Sequence, residues 1–277
     1  MQNVFFWRKK QKLKIALCLY GRYNNRFSTH SGDDGHKYIK KKILTHKADV
    51  FIYSQEPSMK EHILEKYRNI TKYKFENSKD FSQIIQENGI NEEIFQNEER
   101  EQFRTVANSL NFFYNRKQAI VLKQEHEKAN NFTYDIVIVC RFDLAQLDKY
   151  SGKQPYRVSH ITFNPYLNMH YIYTAMWNQL NCGHADQWFY SSSKNIDALS
   201  TMYDKSLQYF QPNSAYLQAI ANGIIDSNAD DEFSNEYFKK EKCRKMYQYK
   251  INEGINNHLM HKYFMIDANL YNCSKFL

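Results

Sequence analysis

The stretch YDIVIVCRFDL, residues 134–144, ends an apolar run on a guanidinium and a carboxylate, Arg141 and Asp143. In an extended chain residues two apart project to the same side, so both side chains can address one ligand. Toward a nucleotide diphosphate they are complementary. The carboxylate can hold Mg²⁺ or Mn²⁺, which grips the diphosphate and stabilises a leaving group. The guanidinium can bind phosphate oxygens or orient the carboxylate. The same spacing also suits a structural ion pair that closes the strand end, and spacing alone leaves both readings open.

A second cluster, Gly183-His184-Ala185-Asp186-Gln187-Trp188-Phe189-Tyr190, sets a carboxylate between a glycine turn and an aromatic strand. Asp186 can serve there as a general base that deprotonates an acceptor hydroxyl, or as a cap for the element that follows. Gly21-Arg22 permits a close backbone approach after the first apolar run, and Arg22 or Arg26 can meet phosphate. His258 and His261 stand three apart in NNHLMHKYF. On a helix they share a face, fit either for a metal or for the surface. Met169, Met176 and Trp177 read as core or as the lining of an acceptor groove. No GxGxxG, GxxxxGK[ST] or GxSxG pattern occurs, which argues against dinucleotide enzymes, P-loop ATPases and nucleophile-elbow hydrolases.

The elements that must position these residues read as α/β. Residues 14–20 form a short continuous apolar run, the mark of a strand buried on both faces. A loop at 22–35, a helix at 36–46 and a second strand at 48–53 complete a βαβ unit, and such units build parallel sheets. Further expectations are a helix at 59–67, a short strand at 73–75, and helical segments at 80–94 and 98–128. The strand at 132–140 follows, then candidate strands at 158–163, 169–173 and 187–191. Helices are expected at 196–210, 214–222 and 232–250, with an unassigned tail. In open sheets of this kind ligands bind at the carboxyl ends of the strands. That rule selects Tyr20, Gly21 and Arg22, then Tyr53 to Glu56, then Arg141 to Asp143. No repeat or linker divides the 277 residues, so one domain is expected, with a nucleotide-binding half over about 13–145 and an acceptor half over about 146–277.

The net charge of +8 suits anionic partners, but its lysines are spread out and no nucleic-acid module accompanies them, so no nucleic acid is expected. Basic runs at 8–14, 37–42 and 239–245 allow peripheral contact with a membrane surface. Five cysteines, odd in number and without metal spacing, read as a reduced cytoplasmic protein.

In order and spacing, KIALCLYGRY, HKADVFIYS, SLNFFYNRKQAIVLKQEHEKA, YDIVIVCRFDL and HADQWFYSSSKNID resemble bacterial and viral GT-A-type glycosyltransferases that build surface polysaccharides. The resemblance covers roughly residues 13 to 200. It implies a GT-A-like, Rossmann-like fold with a mixed, mostly parallel sheet flanked by helices. It further implies a nucleotide-sugar donor, a saccharide or lipid-linked saccharide acceptor, and a place in capsule or lipopolysaccharide assembly at the cytoplasmic side of the inner membrane. Alternatives are transfer of a non-sugar phosphate-linked group to the polysaccharide, and a catalytically inactive carbohydrate-binding or scaffold module. Arg141-Phe142-Asp143 takes the place of the family's Asp-x-Asp, with Asp143 matching the metal-binding carboxylate of a Mn²⁺ or Mg²⁺ site. Asp186 falls where inverting members carry their base. His258 or His261 matches a late histidine that completes some metal sites.

Overall fold

In the computed structural model, residues 13–23, 31–92, 105–144, 160–176, 183–221 and 257–277 are described. Arg26, Trp177, the basic run at 239–245 and the helix expected at 232–250 lie outside them. The chain folds as α/β, with a mixed, mostly parallel seven-stranded sheet flanked by helices in a Rossmann-like arrangement.

Strands β1 (Ile15–Tyr20), β2 (Asp49–Ser54) and β3 (Ile70–Phe75) pair in parallel with β4 (Ile136–Arg141), in the order β3-β2-β1-β4. The sheet continues through β6 (Trp188–Ser191) and β5 (Ile172–Thr174) to β7 (Ser274–Phe276). Only β6 runs against the rest. Every residue of β1 is buried, as its unbroken apolar run requires for a central strand covered on both faces.

Helices α1 (Gly32–Lys42) and α2 (Lys60–Lys66) cover one face, burying Tyr38, Ile39 and Ile63 against Leu17, Leu19, Ile52 and Ile138. The other face is covered by α4 (Val106–Asn130), α5 (Ser193–Ser200), α6 (Met202–Tyr209) and α8 (Asn257–Asp267). Two short helices, α3 (Ser82–Glu87) and α7 (Ala215–Ala221), join this layer through Ile85 and Tyr216.

Local chemistry sets several boundaries that periodicity placed elsewhere. α1 begins at Gly32, ahead of the expected 36, because Ser31 and Asp34 form a capping box. α4 runs from Val106 to Asn130; Thr105 caps it by accepting the Asn108 N–H, and Asn131 ends it in the left-handed conformation. The helix expected at 196–210 divides at Thr201 into α5 and α6. The described part of the strand expected at 158–163 is not a strand; Ile161 instead offers its carbonyl to the Tyr38 hydroxyl at 2.8 Å. The tail supplies an edge strand, β7, and α8.

One contact fixes how α1 sits over the end of β4. A Cβ placed on Gly35 would stand 1.6 Å from the Phe142 carbonyl oxygen, so only glycine allows this approach. Gly35→Ala is therefore expected to cost more than the roughly 1–3 kcal/mol of ordinary overpacking, because backbone rather than a side chain must yield. Urea unfolding checks this; a loss below about 1 kcal/mol would show that the helix and the turn can separate freely.

Candidate active site

Strand order and crossovers locate a crevice without reference to any motif. The connection leaving β1 passes through α1 on one face, and the connection entering β4 passes through α4 on the other. The winding reverses between β1 and β4, and in open α/β sheets the space outside the carboxyl ends of two such strands is where ligands bind. Tyr20 and Arg141 are register partners at that edge. Gly21 adopts φ 96°, a turn that carries the chain out of β1, and its carbonyl accepts from the Ser54 hydroxyl at 3.0 Å. Arg22 follows, exposed and without a partner among the described residues.

Arg141 and Asp143 form a two-pronged pair. The guanidinium Nε donates to Oδ1 at 2.8 Å, and Nη2 donates to Oδ2. Burial opposes the Arg141 charge, but the adjoining carboxylate outweighs it and holds the guanidinium above the ordinary arginine range. Asp143 is buried, so this fork neutralises a carboxylate that would otherwise be desolvated alone. Of the two readings the spacing allowed, the closed ion pair is the geometry observed.

Asp186 lies beside it from the other side of the switch point. Its backbone carbonyl accepts from the Tyr20 hydroxyl at 2.9 Å. Its carboxylate is buried and makes no capping hydrogen bond among the described residues, which removes the helix-cap or strand-cap alternative. Among the described residues the nearest cationic candidate is His258 Nδ1, 3.8 Å from Oδ1. The fields of Arg116 and Arg141 both reach this aspartate.

The segment carrying Asp186 is stitched to α8. The His184 N–H donates to the His258 carbonyl, and His258 Nδ1 donates to the His184 carbonyl, both at 2.9 Å. Gly183, at φ 78°, lies so close that a Cβ would come within 2.1 Å of the His258 backbone. The two histidines of α8 thus serve different places: His258 faces Asp186, while His261 is fully buried with Nε2 3.4 Å from Arg116 Nη1.

Tyr53 stands apart, toward α4. Its hydroxyl donates to Glu76, which also receives Tyr114 at 3.3 Å and pairs with Lys74 at 2.6 Å. The structure therefore brings Tyr20, Gly21, Arg22, Arg141, Asp143, Asp186 and His258 to one edge. It places Tyr53 in a neighbouring hydroxyl–carboxylate network and His261 in the core.

These donors do not by themselves suit Mg²⁺ or Mn²⁺. Both oxygens of Asp143 are taken by Arg141, and His261 faces a guanidinium. Among the described residues no group of three His, Cys, Asp or Glu side chains stands close enough to hold a metal.

Sequence reasoning missed Arg116, which lies beneath the site. It is fully buried among Phe112, Phe113 and Phe189 and meets no carboxylate among the described residues; Nη2 donates to the Met202 sulfur at 2.8 Å. Burial lowers its pKa, with Tyr20 and Asp186 acting in the opposite sense. The available signal was an arginine on the apolar stripe of α4, three residues after Phe113 and four before Ile120.

No family model, curated protein or solved structure matches this chain. No helix among the described residues is long and apolar enough to cross a membrane.

His184 and His261 make this region acid-sensitive. Burial, reinforced by Lys262 and His258, lowers the His184 pKa from 6.5 to about 3, and burial beside Arg116 holds His261 well below its usual value. Below pH 6.5 the unfolded chain takes protons that the folded chain refuses, so stability is fully present above that pH and declines toward pH 3. Each histidine contributes up to about 1.4 kcal/mol per pH unit in this window. Urea titrations between about pH 7 and 5 should show this slope, and it should be shallower in His184→Phe; an equal slope in both proteins would contradict the assignment.

Proposed function

We propose that the protein transfers a sugar from a nucleoside-diphosphate donor to a saccharide or lipid-linked saccharide acceptor at the β1/β4 edge. One observation carries this reading: the winding reverses where Arg22, Arg141, Asp143 and a buried, uncapped Asp186 converge. The resemblance to GT-A-type surface-polysaccharide enzymes supports it independently, since it rests on motif order rather than on geometry.

In this account the donor diphosphate lies over Gly21, whose lack of a side chain lets it approach the backbone. Arg22 and Arg141 meet its charge. Asp186 accepts the proton of the acceptor hydroxyl as that oxygen attacks the anomeric carbon. The bond from that carbon to the diphosphate oxygen breaks, and the nucleoside diphosphate leaves carrying the electron pair, its new charge facing the two arginines. The anomeric configuration inverts. Asp143 holds Arg141 in place, and no step is assigned to a metal.

The closed Arg141–Asp143 fork also favours a second reading, a module that binds donor or carbohydrate without turnover. Two measurements separate them. Thermal-shift titration with UDP, GDP, CDP and CMP sugars, with and without Mn²⁺, should show stabilisation by one base class. Asp186→Asn should keep that stabilisation while transfer falls by about 10²–10⁴-fold. Stabilisation without any transfer would favour the binding module. Stabilisation by no nucleotide, or full turnover in Asp186→Asn, would overturn the proposal.

A further inference from the structure

The sheet has a second ligand-sized space, far from the switch point in topology. A cavity of about 650 Å³ lies on the α1/α2 face, lined by His36, Lys40, Leu44, Ala48, Val50, Tyr67 and Arg68 among others. Ala48, Val50 and Arg68 precede or open β2 and β3, so the cavity belongs to the amino ends of these strands, opposite Arg141 and Asp186. Its volume falls within the roughly 300–1,000 Å³ usual for small-molecule sites, larger than a bare ion needs.

Its walls divide by chemistry. Leu44, Ala48, Val50 and Tyr67 give an apolar floor, with Ala48, Val50 and Tyr67 themselves buried. The rim carries Lys40, Lys66 and Arg68 against a single acid, Glu65. Lys66 is engaged by Asp33 at 3.4 Å, whereas Lys40 and Arg68 have no partner among the described residues. His36, edge-on to the Tyr67 ring with centroids 4.8 Å apart, forms part of the wall between rim and floor.

We propose that this cavity binds a phosphate monoester with an apolar or planar body. The body would lie on Leu44, Val50 and Tyr67, and the phosphate would be met by Lys40 and Arg68. A monoester carries about −1.5 to −2 charge at neutral pH, which these two cations balance. An apolar body explains why the cations rim a floor of aliphatic and aromatic groups rather than a flat surface. This site is independent of the donor site and of the reaction proposed there.

Such a ligand can be free in solution, as a nucleoside monophosphate is, or belong to a lipid, as a prenyl phosphate does. Calorimetric titration of the full chain with inorganic phosphate, AMP, geranyl monophosphate and geraniol distinguishes them. One of the two esters should bind at least about tenfold more tightly than inorganic phosphate and than geraniol, the scale of one charge-assisted contact or one buried apolar group. Preference for AMP assigns the free source, and preference for the geranyl ester assigns the lipid source. The exposed double substitution Lys40→Ser with Arg68→Ser should weaken that ester about tenfold or more while leaving the melting temperature of the free chain unchanged. Asp143→Asn should leave ester binding intact, which separates this site from the donor site. Absence of ester binding, equal binding of inorganic phosphate, or affinity unaffected by the double substitution would each overturn the proposal.

Discussion

The parallel pairing of β1 with β4, with connecting helices on opposite faces, is the constraint on which the candidate site depends. α1 and α4 connect to these two strands on opposite faces of the sheet. At their carboxyl edge Arg22 is exposed, while Tyr20, Asp143 and Asp186 are buried. Gly35 then fixes one wall by bringing α1 against the Phe142 carbonyl, and Gly183 fixes another by bringing the Asp186 segment against His258. Neither contact tolerates a methyl group, so the walls are set by backbone and not by adjustable side chains. That rigidity is what a site needs to hold an arginine fork and a carboxylate at fixed separation.

Charge buried on α4 shows two contrasting solutions to one problem. Lys123 is fully buried yet complete: it donates to Glu127 at 2.8 Å, Ser193 at 2.5 Å and Asp197 at 2.6 Å. That network ties α4 to α5 and serves the fold. Arg116, two turns earlier, has among the described residues a sulfur, an imidazole and aromatic faces around it, and none of them accepts from its Nε. Such incomplete satisfaction is costly. The positive charge of Arg116 interacts with Tyr20 and Asp186, and a buried positive field of this kind favours an anionic ligand.

Much of this architecture is legible in residues 14–20, 48–53 and 132–140, whose apolar runs are long enough to identify buried strands without tertiary knowledge. The Arg141–Asp143 pair and Asp186 are legible as chemistry because their positions relative to those strands can be counted. What cannot be counted is pairing across the chain. β7 is three residues long, and it becomes a strand only by lying beside β5. The division of one expected helix at Thr201 likewise follows from packing. Arg116 escaped notice because burial of a charge depends on what surrounds it, and its partners Met202 and His261 lie far along the sequence. The separation of His258 from His261 has the same origin: residues three apart share a helix face in outline, but α8 crosses the boundary between the crevice and the core.

The proposed nucleotide-sugar donor site lies at the β1/β4 edge. Hydrogen exchange read by mass spectrometry, with and without a saturating stabilising donor, tests it most directly. Protection is expected in peptides spanning residues 19–23, 140–144 and 183–187, with none at 64–70. Protection confined to other segments, with those three unchanged, would contradict the account.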